Sequence, residues 1–230
     1  MTDKTSQPDR PPCARPPVGF VSTRLAGTDG VSLEAQKWAR FFAREGFCCR
    51  YFAGELDTPD DHSMSVPEAH FKHPDVRRIY DACFGQQLRP AEITRRIHEH
   101  KEKLKQSLYA FLDRFDIGLL VAENALSLPL NLPLGIALTE VLSETGMPTI
   151  GHHHDFFWER PRMRVGGAWD YINMAFPPHL PCVRHVTINS SAAHQLSLRR
   201  GVLARVIPNV LDFDHPPEPL DEYAQDVREA

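Results

Sequence analysis

The feature that most constrains this chain is a repeated order: short apolar runs that read as buried strands, each followed within a few tens of residues by a helical pattern. The strand candidates cover 18–22, 47–53, 116–122, 148–150, 183–189 and 205–207. Helical patterns cover 31–45, 75–88, 90–115, 134–145, 169–175 and 190–200. In 90–115 the residues Ile93, Ile97, Leu104, Leu108, Phe111, Leu112 and Phe115 recur at three- and four-residue steps, which puts them on one face. Gly46, Gly146 and Gly201 follow three of the helices and supply the left-handed residue that ends a helix, while Ser190 is placed to cap the last one. Strands that alternate with helices join through right-handed crossovers and lie parallel. The fold class that follows is α/β: a three-layer α/β/α Rossmann-like domain with a mostly parallel sheet.

Composition sets the limits on function. With 230 residues, 42% hydrophobic and 24% charged, the chain can bury a core of one large domain or two small ones. A formal charge of -4 supplies no basic field, so nucleic acid is not an expected partner. Five cysteines without Cys-x-x-Cys spacing read as reduced thiols of a cytoplasmic protein. No apolar run reaches the roughly 18 residues of a membrane span, so no integral membrane segment is expected. The prolines Pro8, Pro11, Pro12, Pro16 and Pro17 make 1–17 a disordered leader. The polar, proline-bearing stretch 58–74 reads as one long irregular loop, either functional or a surface insertion.

Two strand ends carry the reactive side chains. Glu123-Asn124 closes the strand at 116–122, and His152-His153-His154-Asp155 follows the short strand at 148–150. In parallel α/β sheets that edge is where ligands bind. Strand alternation lets His152 and His154 share a side while His153 faces away. A zinc ion would then need His152, His154 and a carboxylate, with Asp155 available in sequence for a metal-dependent hydrolase. Hydrogen-bonded strand-end histidines without a ligand are a second reading. The third is direct contact with a polyhydroxylated ligand, because neutral imidazoles both donate and accept and a carboxylate accepts from hydroxyls. Phe156, Phe157 and Trp158 offer flat apolar surface, for which core packing is the commoner use. At the other end of the chain, strand, glycine loop and helix around Gly30 and Val31 form an arrangement whose free N–H groups can hold an anion.

Several stretches, taken in order, resemble one family. Thr28-Asp-Gly-Val-Ser-Leu-Glu34 is similar to the glycine loop and first helix of the retaining glycosyltransferases of family four, which have the GT-B fold. Glu123-Asn124 and Thr149-Ile-Gly-His-His-His-Asp155 resemble the strand ends that face their cleft. Asn189-Ser-Ser-Ala-Ala193 is similar to their serine-rich helix start, and Ile207-Pro-Asn-Val-Leu-Asp212 to the segment leading into the second domain, with Val210 where glycine is frequent. The resemblance covers 18–214 and implies the N-terminal, acceptor-side half of a two-domain enzyme, with 215–230 beginning a linker or a second domain. It implies a nucleotide-diphosphate sugar as co-substrate, a hydroxyl-bearing acceptor and no other cofactor; no metal is expected, because strand alternation scatters the three imidazoles. By the same resemblance His154 and Asp155 form the catalytic set, Gly30 and Val31 lie beside the donor phosphate, and Glu123, Asn124, His152 and His153 lie near the acceptor. A half-enzyme of this kind is expected to be inactive without its partner domain. The alternatives are a non-catalytic sugar- or nucleotide-binding module and the metal-dependent hydrolase.

Overall fold

The computed structural model describes residues 15–209. Most of the leader, the stretch 210–214 that ends the expected domain and the expected linker at 215–230 lie outside the described residues. Seven strands form one sheet: β1 (Val18–Val21), β2 (Cys49–Ala53), β3 (Ser63–Ser65), β4 (Leu119–Glu123), β5 (Thr149–His153), β6 (Val183–Thr187) and β7 (Ala204–Val206). Their order is β3-β2-β1-β4-β5-β6-β7, and every pairing is parallel. Among the described residues the α-helices are six: α1 (Gly30–Arg44), α2 (Pro74–Cys83), α3 (Ala91–Phe115), α4 (Leu132–Thr145), α5 (Trp169–Ala175) and α6 (Ser190–Arg200). The expected α/β Rossmann-like fold is present.

The hydrophobic pattern explains the layers. Ala35, Ala39 and Phe42 of α1 pack on Val18, Phe20 and Val121, which point to one side of the sheet. On the other side Leu104, Leu108 and Phe111 of α3 and Leu134, Leu138 and Val141 of α4 cover Val21, Phe52, Leu120 and Ala122. Adjacent strand residues such as Phe20 and Val21 thus serve opposite cores, as period-two alternation requires. Gly146 and Gly201 stop α4 and α6 with φ of +64° and +66°, the left-handed geometry that glycine adopts without a Cβ clash.

Four sequence expectations need correction. The stretch 58–74 is not one irregular loop, because Ser63–Ser65 pairs with β2 and becomes the sheet edge; three residues of strand are too few to show periodicity. The cap of α6 is Asn189, whose Oδ1 accepts from Ala192 N at 2.8 Å, rather than Ser190. β5 runs through His153 instead of ending at Ile150, since pairing with β6 continues as far as Thr187. Cys49, Cys83 and Cys182 are free thiols, but Cys48 is disulfide-bonded rather than the reduced thiol expected. Among the described residues no helix is long and apolar enough to cross a membrane.

Candidate functional site

Strand order places the site. β1 and β4 are neighbours, and the chain leaves β1 toward β2 on one side and β4 toward β5 on the other. Connections that diverge leave a crevice beyond the strand ends, which is where ligands sit in such sheets. A cleft of about 210 Å³ opens there, lined by Thr23, Arg24, Asp29, Val31, Glu123 and Asn124 among others. A larger cavity of about 580 Å³ lies between α1 and β2 and contains none of the clustered histidines or acids. Its position away from the strand ends makes it the poorer candidate.

The register Glu123↔His152 brings the ends of β4 and β5 side by side. Glu123 Oε2 accepts from His152 Nδ1 at 2.9 Å and from His154 Nε2 at 3.3 Å. Glu123 and His152 have no exposed surface, and the His154 side chain keeps 11%. Burial pushes the Glu123 carboxyl toward higher pKa, but the hydrogen bonds from His152 and His154 outweigh it, so the group sits below the usual carboxylate range. Trp38 of α1 closes the stack, its ring 4.6 Å from that of His152, which is in turn 4.6 Å from that of His154. Glu123 Oε1 and His152 Nε2 are buried without a partner.

Asn124 joins the two strand ends. It adopts a left-handed φ of +58°, which asparagine tolerates better than most residues. In that conformation its Nδ2 donates to Asp155 Oδ1 at 2.8 Å while its Oδ1 accepts from His154 N at 3.1 Å and Ser127 Oγ at 2.9 Å. The remaining oxygen of Asp155 binds the Arg160 guanidinium through Nε at 3.0 Å and through a second, shorter contact.

His153 belongs elsewhere. As strand alternation requires, it projects to the opposite face, where its Nε2 meets His185 Nδ1 of β6 at 2.9 Å and its ring lies 5.2 Å from Phe156. With no exposed surface, His152 and His153 offer a ligand nothing to touch. Phe156, Phe157 and Trp158 are also buried, so that run serves the core.

Two expected chemistries change on this geometry. The free N–H groups at the start of α1 are committed: Asp29 caps the helix, its Oδ1 accepting from Val31 N at 3.1 Å and Ser32 N at 3.2 Å. Val31 lines the cleft and Gly30 does not, and the Asp29 carboxylate stands where an anion was expected. For metal, the carboxylate that joins His152 and His154 is Glu123, whose donor atom lies within 4.8 Å of theirs; Asp155 is held away by Arg160 and Asn124. Sequence reasoning also missed Arg24, which ion-pairs with Asp29 and Glu55 at the cleft rim. Its position just past a strand end was the available signal.

No protein-family profile matches the chain. Two curated relatives do: the mannosylglucosylglycerate synthase of Thermotoga maritima is 34% identical over 204 residues, and that of Petrotoga mobilis is 27% identical over 208. The alignments take in 86% and 90% of this chain but 46% and 47% of the relatives, so the chain spans about half the length of the curated relatives it matches.

Proposed function

We propose that this chain is the acceptor-side half of a retaining, sugar-nucleotide-dependent glycosyltransferase of the GT-B type, moving a hexosyl group onto a hydroxyl of a small acceptor. The observation that carries the reading is the 34% identity to a mannosylglucosylglycerate synthase across 204 residues. The chain also has a cleft at the β1–β4 divergence. The relatives' name describes a product of mannose, glucose and glycerate units, so the corresponding acceptor class here is a small, hydroxyl-rich, carboxylated glycoside.

In this reading His154 and Asp155 lie nearest the transferred sugar. His154 is the one histidine of the cluster with accessible surface, and a hydrogen bond from it to a sugar hydroxyl strengthens as the sugar becomes cation-like. Asn124 holds the backbone of that segment and faces the acceptor. The N-terminal turn of α1 beside Gly30 and Val31 faces the donor diphosphate. Asp29 already caps that turn, so Arg24 is the cation best placed to offset a phosphate.

The test is transfer by the natural protein that carries this chain, offered a panel of nucleoside-diphosphate hexoses with glycerate glycosides as acceptors. A new glycoside that keeps the donor's anomeric configuration by NMR is the expected product. Inversion would remove the retaining mechanism, and release of phosphate from a phosphorylated substrate without sugar transfer would remove the reading altogether.

A further inference from the structure

We propose that Glu123 is a positioning residue: its buried carboxylate holds His154 in the tautomer that carries hydrogen on Nε2, leaving Nδ1 as the acceptor for a ligand hydroxyl. The proposal rests on the reading of the cleft as a sugar site, and it changes the part expected of Glu123 from acceptor contact to orienting group.

An ionised carboxylate only accepts, so both nitrogens within reach of Glu123 Oε2 must carry hydrogen. Those nitrogens are His152 Nδ1 at 2.9 Å and His154 Nε2 at 3.3 Å. A neutral imidazole has one N–H, so each ring's other nitrogen becomes an acceptor. For His152 that nitrogen is buried and without a partner, which makes the ring a brace wedged between Trp38 and His154. The Nδ1 of His154 is not among the buried orphaned atoms, and its side chain retains exposed surface. It is the nitrogen left to meet a ligand. The backbone holds the same ring from behind, because His154 N donates to Asn124 Oδ1 at 3.1 Å. A carboxylate that fixes the tautomer and orientation of a working imidazole is a known device of enzyme sites.

A divalent cation would use the same three groups, but coordination needs both rings deprotonated at the nitrogens facing Glu123. Oε2 lies at hydrogen-bond distance from each, and this favours protons there.

Long-range nitrogen–proton NMR of histidine-labelled protein separates the alternatives, with the His154 signals identified by their loss in His154→Gln. The expected wild-type spectrum is the Nε2–H tautomer for His154. Glu123→Gln should mix the tautomers and lower kcat at least about tenfold with the acceptor KM little changed. The wild-type tautomer is read without Glu123→Gln, so the test stands even where that variant fails to fold. An Nδ1–H tautomer in the wild type, an unchanged His154 spectrum in folded Glu123→Gln, or stoichiometric zinc that perturbs both rings would each overturn the proposal. Because the spectrum is read without turnover, failure of the glycosyltransferase reading would show separately, as absent transfer with the tautomer intact.

Discussion

His152 and His153 are adjacent, lie in the same strand and are equally buried, yet they meet opposite electrostatic surroundings. His152 faces α1 and a carboxylate from β4; His153 faces the other core and a second imidazole from β6. Beside Glu123 the histidines help keep the carboxyl ionised. In the other pair no carboxylate among the described residues offsets burial. His153 is pushed well below the usual histidine range by burial, reinforced by the charge of His185 and of its flanking histidines. His185 is lowered to about 4 by burial, which a backbone hydrogen bond at Pro178 opposes and His179 reinforces. One residue of register therefore separates a network suited to handling hydroxyls from a neutral pair suited to packing.

Acid should break this comparison most visibly. In the unfolded chain His185 takes up a proton near its ordinary value of 6.5, whereas the folded protein resists until about 4. Between those values the unfolded state binds more protons. The contribution is complete above about pH 6.5 and lost as pH falls toward 4, amounting to about 3 kcal/mol for this group. Urea unfolding at a series of pH values should show the decline, and His185→Gln should flatten it. An equally steep decline in that variant would place the acid sensitivity elsewhere.

Substitution on the two faces should separate function from stability. In the natural protein that carries this chain, His154→Ala is expected to lower turnover about 10²-fold or more, roughly 2.7 kcal/mol of transition-state stabilisation, with little change in Tm. His153→Ala should do the reverse, lowering Tm while leaving kcat near that of the wild type. Measuring both quantities for both variants decides the matter: a His154→Ala protein that unfolds readily, or keeps near-normal turnover, would return that residue to a structural part.

Gly151 sharpens the comparison with a smaller effect. A Cβ at this position would lie 3.1 Å from the His153 ring, closer than a relaxed contact, and 3.4 Å from His185 Nδ1. Gly151→Ala should cost about 1–2 kcal/mol by crowding the buried pair, read as a lower denaturation midpoint with an unchanged slope. The Glu123 face should keep its His154 tautomer. A change there instead would mean that the two faces are coupled through the strand.

Much of this arrangement was legible in the chain. The alternation of strand and helix follows from apolar periodicity, and the helix stops at Gly146 and Gly201 follow from the steric freedom of glycine. That His152 and His154 share a face while His153 does not follows from the two-residue repeat of an extended chain. These are local properties, determined by bonds and torsions within a few residues of each other. Only the tertiary structure decided that Glu123, 29 residues before His152, receives both imidazoles. It also decided that His185, 32 residues after His153, pairs with that residue, and that Ser63–Ser65 extends the sheet. Partners of this kind are selected by strand order and register across long separations. The free energy of a buried polar group depends on which partner arrives there, and no local pattern encodes that choice.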